Sequence, residues 1–355
     1  MLNLLAQLDQ MDGNPVVLKD SSQQLCKKPL LDSCRKLIAT LKACNSKTVA
    51  LFGDNSSDWV IIDLACQQAD ICLVPIPTFF SQTQINHLFH SLTIDTVLCQ
   101  LSQPFVAIPN IRHRAQQAVL EGRFQLLQVS CQGCASELPE GTQKITFTSG
   151  STGQPKGVCL SVEQQLLQAT ALASAVALDK PRHLCLLPLS TLLENIAGIY
   201  TPLMCGGEVI IPSLAEIGFQ GSSSLDAQQF CRTISAYSPH SMILTPQLLV
   251  VAIAAAKQGW QPPASLKFVA VGGGRVAAQL LAEAHQHGIP AYEGYGLSEC
   301  ASVVSLNTRA ESAVGTSGRP LPHLLVSTDL CKCHCTISYA RNQPRSFCSE
   351  GSYHR

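Results

Sequence analysis

Residues 146–157 read Thr-Phe-Thr-Ser-Gly-Ser-Thr-Gly-Gln-Pro-Lys-Gly. An apolar, β-prone lead-in containing Ile145 and Phe147 delivers a loop of small hydroxyl and glycine residues that ends in one lysine. Glycines let backbone N–H groups approach a phosphate, hydroxyls add donors, and Lys156 adds positive charge. Ser161 and Gln164 have the spacing of a capping box at the start of an apolar helix. Strand, phosphate loop and helix are therefore expected to follow one another. A Walker loop is excluded, because residues 155–157 would have to read Gly-Lys-Ser/Thr and instead read Pro-Lys-Gly.

Working outward, β-prone runs alternate with runs of helical periodicity. Strands are predicted at 48–52, 71–76, 96–99, 143–148, 183–187, 208–211, 241–244, 266–271 and 289–292. Helices are predicted at 58–69, 81–92, from 161, and at 192–204, 225–237, 246–257 and 276–287. This alternation predicts an α/β fold of βαβ units, with parallel sheets flanked by helices. Residues 101–142 are weakly periodic and are expected to connect two subdomains, 1–140 and 141–327.

Composition narrows the function. The 355 residues are 46% hydrophobic, enough for a sizeable core. Charged residues make up 14% and balance to zero, so nothing points to nucleic acid. No apolar run reaches the length of a membrane span, and the start lacks the basic region of a secretory signal. The 17 cysteines then read as reduced thiols rather than as a disulfide framework. A cytoplasmic protein is the expectation, and the oligomeric state stays open.

The 146–157 run resembles the phosphate-binding signature of the adenylate-forming superfamily, whose members include acyl-CoA synthetases, luciferases and peptide-synthetase adenylation domains. Tyr292-Glu293-Gly294-Tyr295-Gly296-Leu297-Ser298-Glu299 resembles that family's adenine and magnesium motif. Val314-Gly315-Thr316-Ser317-Gly318-Arg319-Pro320-Leu321-Pro322 resembles the motif that closes its large domain. Gly53-Asp54-Asn55, Trp59, Ala69 and Val74-Pro75-Ile76-Pro77 follow its early pattern. These stretches occur in the family's order over about the first 325 residues. Gly294-Tyr295-Gly296 does not open a dinucleotide fingerprint, because Glu299 stands at the third glycine position.

The resemblance implies ATP-dependent activation of a carboxylic acid, with Mg²⁺ and with CoA as co-substrate. It assigns Thr148, Ser149, Gly150, Ser151, Thr152, Gly153 and Lys156 to the β- and γ-phosphates. Glu299 is implied to bind Mg²⁺, and Tyr295, with neighbours Gly296 and Ser298, to stack on adenine. Gly272, Gly273 and Gly274 are implied to line the adenine pocket. Lys156 and Glu299 are the implied catalytic pair. Leu187-Pro188-Leu189-Ser190-Thr191-Leu192-Leu193-Glu194-Asn195 matches the acid-binding segment of long-chain acyl-CoA synthetases, with Thr191 where histidine is usual. No aspartate lies between Arg182 and Gly207 to pair with a substrate amine, which disfavours an amino acid. A fatty acid is the expected substrate, with an aryl acid as the enzymatic rival and a non-catalytic nucleotide- or acyl-binding remnant as the other. Leu192, Leu193, Ile196, Ile199, Tyr200 and Met204 could wall the acid pocket or simply pack in the core, since their spacing suits either.

After about Ser327 the text changes: residues 328–355 hold four cysteines, against thirteen in the preceding 327. Neither strand nor helix periodicity is visible there, and an unrelated, disordered tail is expected. Cys331-Lys332-Cys333-His334-Cys335 lacks the spacing and second ligand pair of a structural zinc site. The family's Thr-Gly-Asp motif, hinge and C-terminal lysine do not occur, so impaired turnover by truncation is expected.

Overall fold

The computed structural model describes residues 3–102, 112–130, 137–148, 155–221, 224–329 and 334–339. Two sheets organise them. The first runs, in spatial order, Arg112–Val119, Phe124–Ser130, Thr96–Gln100, Thr48–Phe52, Cys72–Ile76, Lys144–Thr148 and Lys156–Leu160. Its four inner strands from Thr96 to Thr148 are parallel, and the strands outside them antiparallel. Thr48–Phe52 and Cys72–Ile76 are buried at every position, as strands covered on both faces must be.

The second sheet has nine strands, with a parallel centre of Ala291–Leu297, Phe268–Val271, Ser241–Leu244, Arg182–Leu184, Glu208–Ile210 and Val16–Lys19. Antiparallel strands flank it: Ser302–Leu306 and Arg319–Pro320 on one side, Gln24–Cys26 on the other. The α/β class with parallel sheets flanked by helices is thus the observed architecture. No helix among the described residues is long and apolar enough to cross a membrane.

Five expectations need correction. Residues 101–142 are not merely a connector, because Arg112–Val119 and Phe124–Ser130 form a hairpin on the first sheet. The outer strand reads Arg-His-Arg-Ala-Gln-Gln-Ala-Val, an edge strand too polar to show apolar alternation. Each sheet also draws strands from both sides of residue 140, since Val16–Lys19 joins the second and Lys144–Leu160 the first.

The loop beginning at Ser149 leads into a strand, not a helix: Thr148 pairs with Lys156 in antiparallel register. Helix Val162–Val176 opens beyond that strand, with the expected reciprocal Ser161–Gln164 capping box. The helix expected at 192–204 is π-helical over Glu194–Tyr200, between α-helical Leu192 and Leu193 and the α-helical Thr201–Met204. Finally, His334–Tyr339 pairs with Leu324–Asp329, so a strand does exist beyond Ser327. Its Ile337 packs on Cys300, Val304 and Leu324, an anchor too isolated to register as periodicity.

Candidate functional site

Tyr295 and its neighbours sit where the last parallel strand of the second sheet folds back. Ala291–Leu297 pairs antiparallel with Ser302–Leu306, and the register shifts between Tyr295 and Gly296. A Cβ at Gly296 would lie 2.0 Å from the Ser302 carbonyl oxygen, so only glycine permits this pairing. Tyr295, beside this irregularity, is 41% exposed, and its aromatic ring is of the kind on which a planar ligand could stack. Gly272 and Gly273 leave the end of Phe268–Val271 alongside it.

These segments meet residues 191–193 in one cavity of about 240 Å³. Gly272, Gly273, Tyr295, Gly296 and Ser298 line it together with Thr191, Leu192 and Leu193. Gly274 is not part of the lining and instead approaches Pro246. Glu299 lies half-buried in the 3₁₀ turn Ser298–Cys300, against which the strand Lys156–Leu160 packs. Lys156 is exposed at the start of that strand, and Thr148 half-buried opposite it. Ser149, Gly150, Ser151, Thr152 and Gly153 lie outside the described residues.

Of the proposed acid wall, only Leu192 and Leu193 face the cavity, while Ile196, Ile199 and Tyr200 are fully buried core. Thr191, in the place of the usual histidine, donates its hydroxyl proton to the Pro188 carbonyl at 2.6 Å and so closes its own turn. Behind Leu193 lies a second, almost wholly apolar cavity of about 50 Å³. Leu193, Ile243, Ala270, Val303 and Leu306 border both spaces and form the partition between them. The last four of these residues carry no motif and were not anticipated from sequence.

Two buried polar knots hold this wall. In one, Glu194 accepts the Leu187 N–H at 3.0 Å and meets His183 Nε2 at 3.1 Å, while His183 Nδ1 bonds the Ser241 hydroxyl at 3.0 Å. Gly198 is required beside it, since a Cβ there would lie 2.1 Å from the Glu194 carboxylate. Cys185 shares this pocket, and its ligand atom lies within 4.8 Å of those of His183 and Glu194. Burial pushes its thiol well above the ordinary range, so it stays protonated.

In the other knot, Lys144 Nζ meets Asp63 at 2.8 Å, Asn195 Oδ1 at 2.5 Å and the Tyr200 hydroxyl at 2.8 Å. Asp63 also accepts from Asn195 at 2.7 Å and from Tyr200 at 2.8 Å. Burial pulls the Lys144 ammonium below its ordinary value, and Asp63 opposes that shift. Lys144 begins the strand whose far end is Thr148, so this knot ties the Lys144–Leu160 hairpin to the segment carrying Asn195 and Tyr200. A third tie comes from the early motif: the Asn55 side chain donates to the Leu187 carbonyl at 2.9 Å and accepts the Leu189 N–H at 2.8 Å.

The sequence profile of the AMP-binding enzyme family matches residues 7–327. A 2-succinylbenzoate–CoA ligase of Staphylococcus epidermidis is 24% identical over 295 residues, 82% of this chain and 57% of the relative. The corresponding ligase of Staphylococcus aureus is 22% identical over 315 residues, 82% of this chain and 61% of its own length. The chain thus spans about three fifths of the curated relatives it matches. Among solved structures, an anthranilate CoA ligase bound to anthranoyl-AMP superposes with a TM-score of 0.75 at 17% identity, covering 93% of this chain and 66% of that one. A long-chain-fatty-acid-CoA ligase from Archaeoglobus fulgidus gives 0.76 at 15%, covering 95% and 75%. The o-succinylbenzoate CoA synthetase of Bacillus subtilis with ATP and magnesium ion gives 0.70 at 20%, covering 92% and 66%.

Proposed function

The chain belongs to the AMP-binding enzyme family, and from that premise we propose that it activates a compact, aryl-type carboxylic acid as an acyl-adenylate for transfer to CoA. The observation that carries this reading is the shared cavity: the glycine edge, the Tyr295 ring and the acid wall line one space, beside the hairpin bearing Lys156. Adenine would stack on Tyr295 against the flat backbone of Gly272 and Gly273. The acid would lie between Thr191, Leu192 and Leu193, its carboxylate turned to the α-phosphate.

The chemistry requires two anions to meet. The carboxylate oxygen attacks the α-phosphorus, an acyl–O–P bond forms, and pyrophosphate leaves. A CoA thiol then displaces AMP to form the thioester. Lys156 contributes fixed positive charge to the β- and γ-phosphates, and the Thr148 hydroxyl contributes a donor. The donor set suits a divalent ion: the Glu299 carboxylate is a hard oxygen ligand on a turn packed against the Lys156 strand. Mg²⁺ held there would supply charge neutralisation for the triphosphate.

An aryl-type acid is favoured over a long-chain one by volume. Beyond Leu193 the apolar space is only about 50 Å³, whereas a cavity of roughly 150 Å³ is needed to take up one benzene. Among the described residues, a long alkyl tail would not fit in the space behind Leu193 without movement of that partition. The 2-succinylbenzoate and anthranilate ligases named above act on acids of this compact kind.

If Lys156 and Glu299 hold the triphosphate and its metal, Lys156→Ala and Glu299→Ala should each weaken Mg-ATP binding at an unchanged melting temperature. Charge-assisted contacts contribute roughly 1.5–3 kcal/mol, so calorimetry should show at least about a tenfold loss in each. Wild-type affinity in both variants would remove the site.

A further inference from the structure

We propose that His87 is a positioning residue for Lys156, fixing the peptide plane from which that lysine extends; this rests on the reading of Lys156 given above. His87 lies half-buried on the helix Gln82–Ser91, with its Nε2 3.1 Å from the carbonyl oxygen of Pro155. A carbonyl only accepts, so Nε2 carries the proton and donates. The helix beneath is rigidly seated. Ile85, Leu88 and Phe89 are buried in the core against the first sheet, and a reciprocal Ser81–Gln84 capping box closes its start.

What this bond orients follows from covalent geometry. The Pro155 carbonyl and the Lys156 N–H belong to one planar peptide unit, and no cis bond occurs among the described residues. Holding the oxygen therefore holds the N–H and the direction in which the Lys156 Cα departs. Proline has no N–H of its own with which to tie this residue to a neighbouring strand. Lys156 is then constrained on two sides, by its pairing with Thr148 and by the plane that His87 fixes. Its exposed side chain leaves from a preset origin, so less entropy is lost when it closes on a phosphate.

The test is calorimetry of Mg-ATP and of adenosine on the whole chain, in His87→Ala, His87→Gln, Lys156→Ala and the His87→Ala/Lys156→Ala double variant. Loss of one neutral hydrogen bond should weaken Mg-ATP binding about fivefold in His87→Ala while leaving adenosine unchanged. His87→Gln, whose amide can donate from a similar reach, should recover most of that loss. In the Lys156→Ala background, His87→Ala should cost nothing further. A silent His87→Ala, an equal loss for adenosine, no rescue by glutamine, or losses that add with Lys156→Ala would each overturn the assignment. Lys156→Ala at wild-type affinity would be a different failure, that of the functional reading itself.

Discussion

Lys144→Ala is expected to lower the stability of the chain by about 3–5 kcal/mol, the largest single-residue effect anticipated here. The side chain is 1% exposed, and its partner Asp63 is wholly buried. Removing the ammonium leaves a carboxylate in an apolar interior with only Asn195 and Tyr200 to satisfy it. The cost reflects that stranded charge, not the net contribution of the pair, since two ions taken out of water recover little beyond their desolvation. Lys144→Met combined with Asp63→Asn should therefore restore most of the loss. Urea unfolding of the single and double variants checks this, and a single variant within about 0.5 kcal/mol of wild type, the range of ordinary surface substitutions, would contradict it.

Leu193→Ala should change which acid fits. Leu193 separates the proposed nucleotide and acid cavity from the apolar space behind it, and truncating it should join the two. Three or four additional methylenes could then be buried at about 0.8 kcal/mol each, equivalent to roughly a hundredfold in affinity. An alkylbenzoyl or octanoyl adenylate analogue should gain by about that factor relative to the benzoyl analogue, which keeps its contacts with Thr191 and Leu192. Ala197, which lines only the rear space, provides the control: Ala197→Leu in the Leu193→Ala background should refill it and cancel the gain. An unchanged preference in a folded Leu193→Ala variant would show that the partition does not set acid length.

Much of this organisation was legible in the sequence, for identifiable reasons. The parallel strands are short apolar runs between helical repeats, and the capping box at Ser161 marks the start of its helix at the next residue. The glycine and aromatic stretch at 294–299 was legible through its resemblance to a family motif, and within it Gly296 is where a Cβ would strike the Ser302 carbonyl. The proposed acid wall was half legible: a helical spacing cannot say which of its residues border a cavity, and of the six only Leu192 and Leu193 line this one.

The illegible parts share a cause, contact between residues far apart in the chain. Asp63 in an apolar helix and Lys144 opening an apolar strand are each anomalous, but 81 positions separate them and neither names its partner. His87 looks like any helix histidine until Pro155 is placed beside it. The polar edge strand Arg112–Val119 is held by its ladder to Phe124–Ser130, which leaves no apolar rhythm to read.

The most direct measurement is titration of the chain with 5′-O-(N-acylsulfamoyl)adenosines, which occupy the adenine and acid subsites together and require no turnover. The account predicts one site per chain, with the benzoyl compound bound at least about tenfold more tightly than either unacylated sulfamoyl adenosine or the palmitoyl compound. Binding of none of them, or equal binding of all three, would contradict the assignment of an adenylate site built for a compact acid.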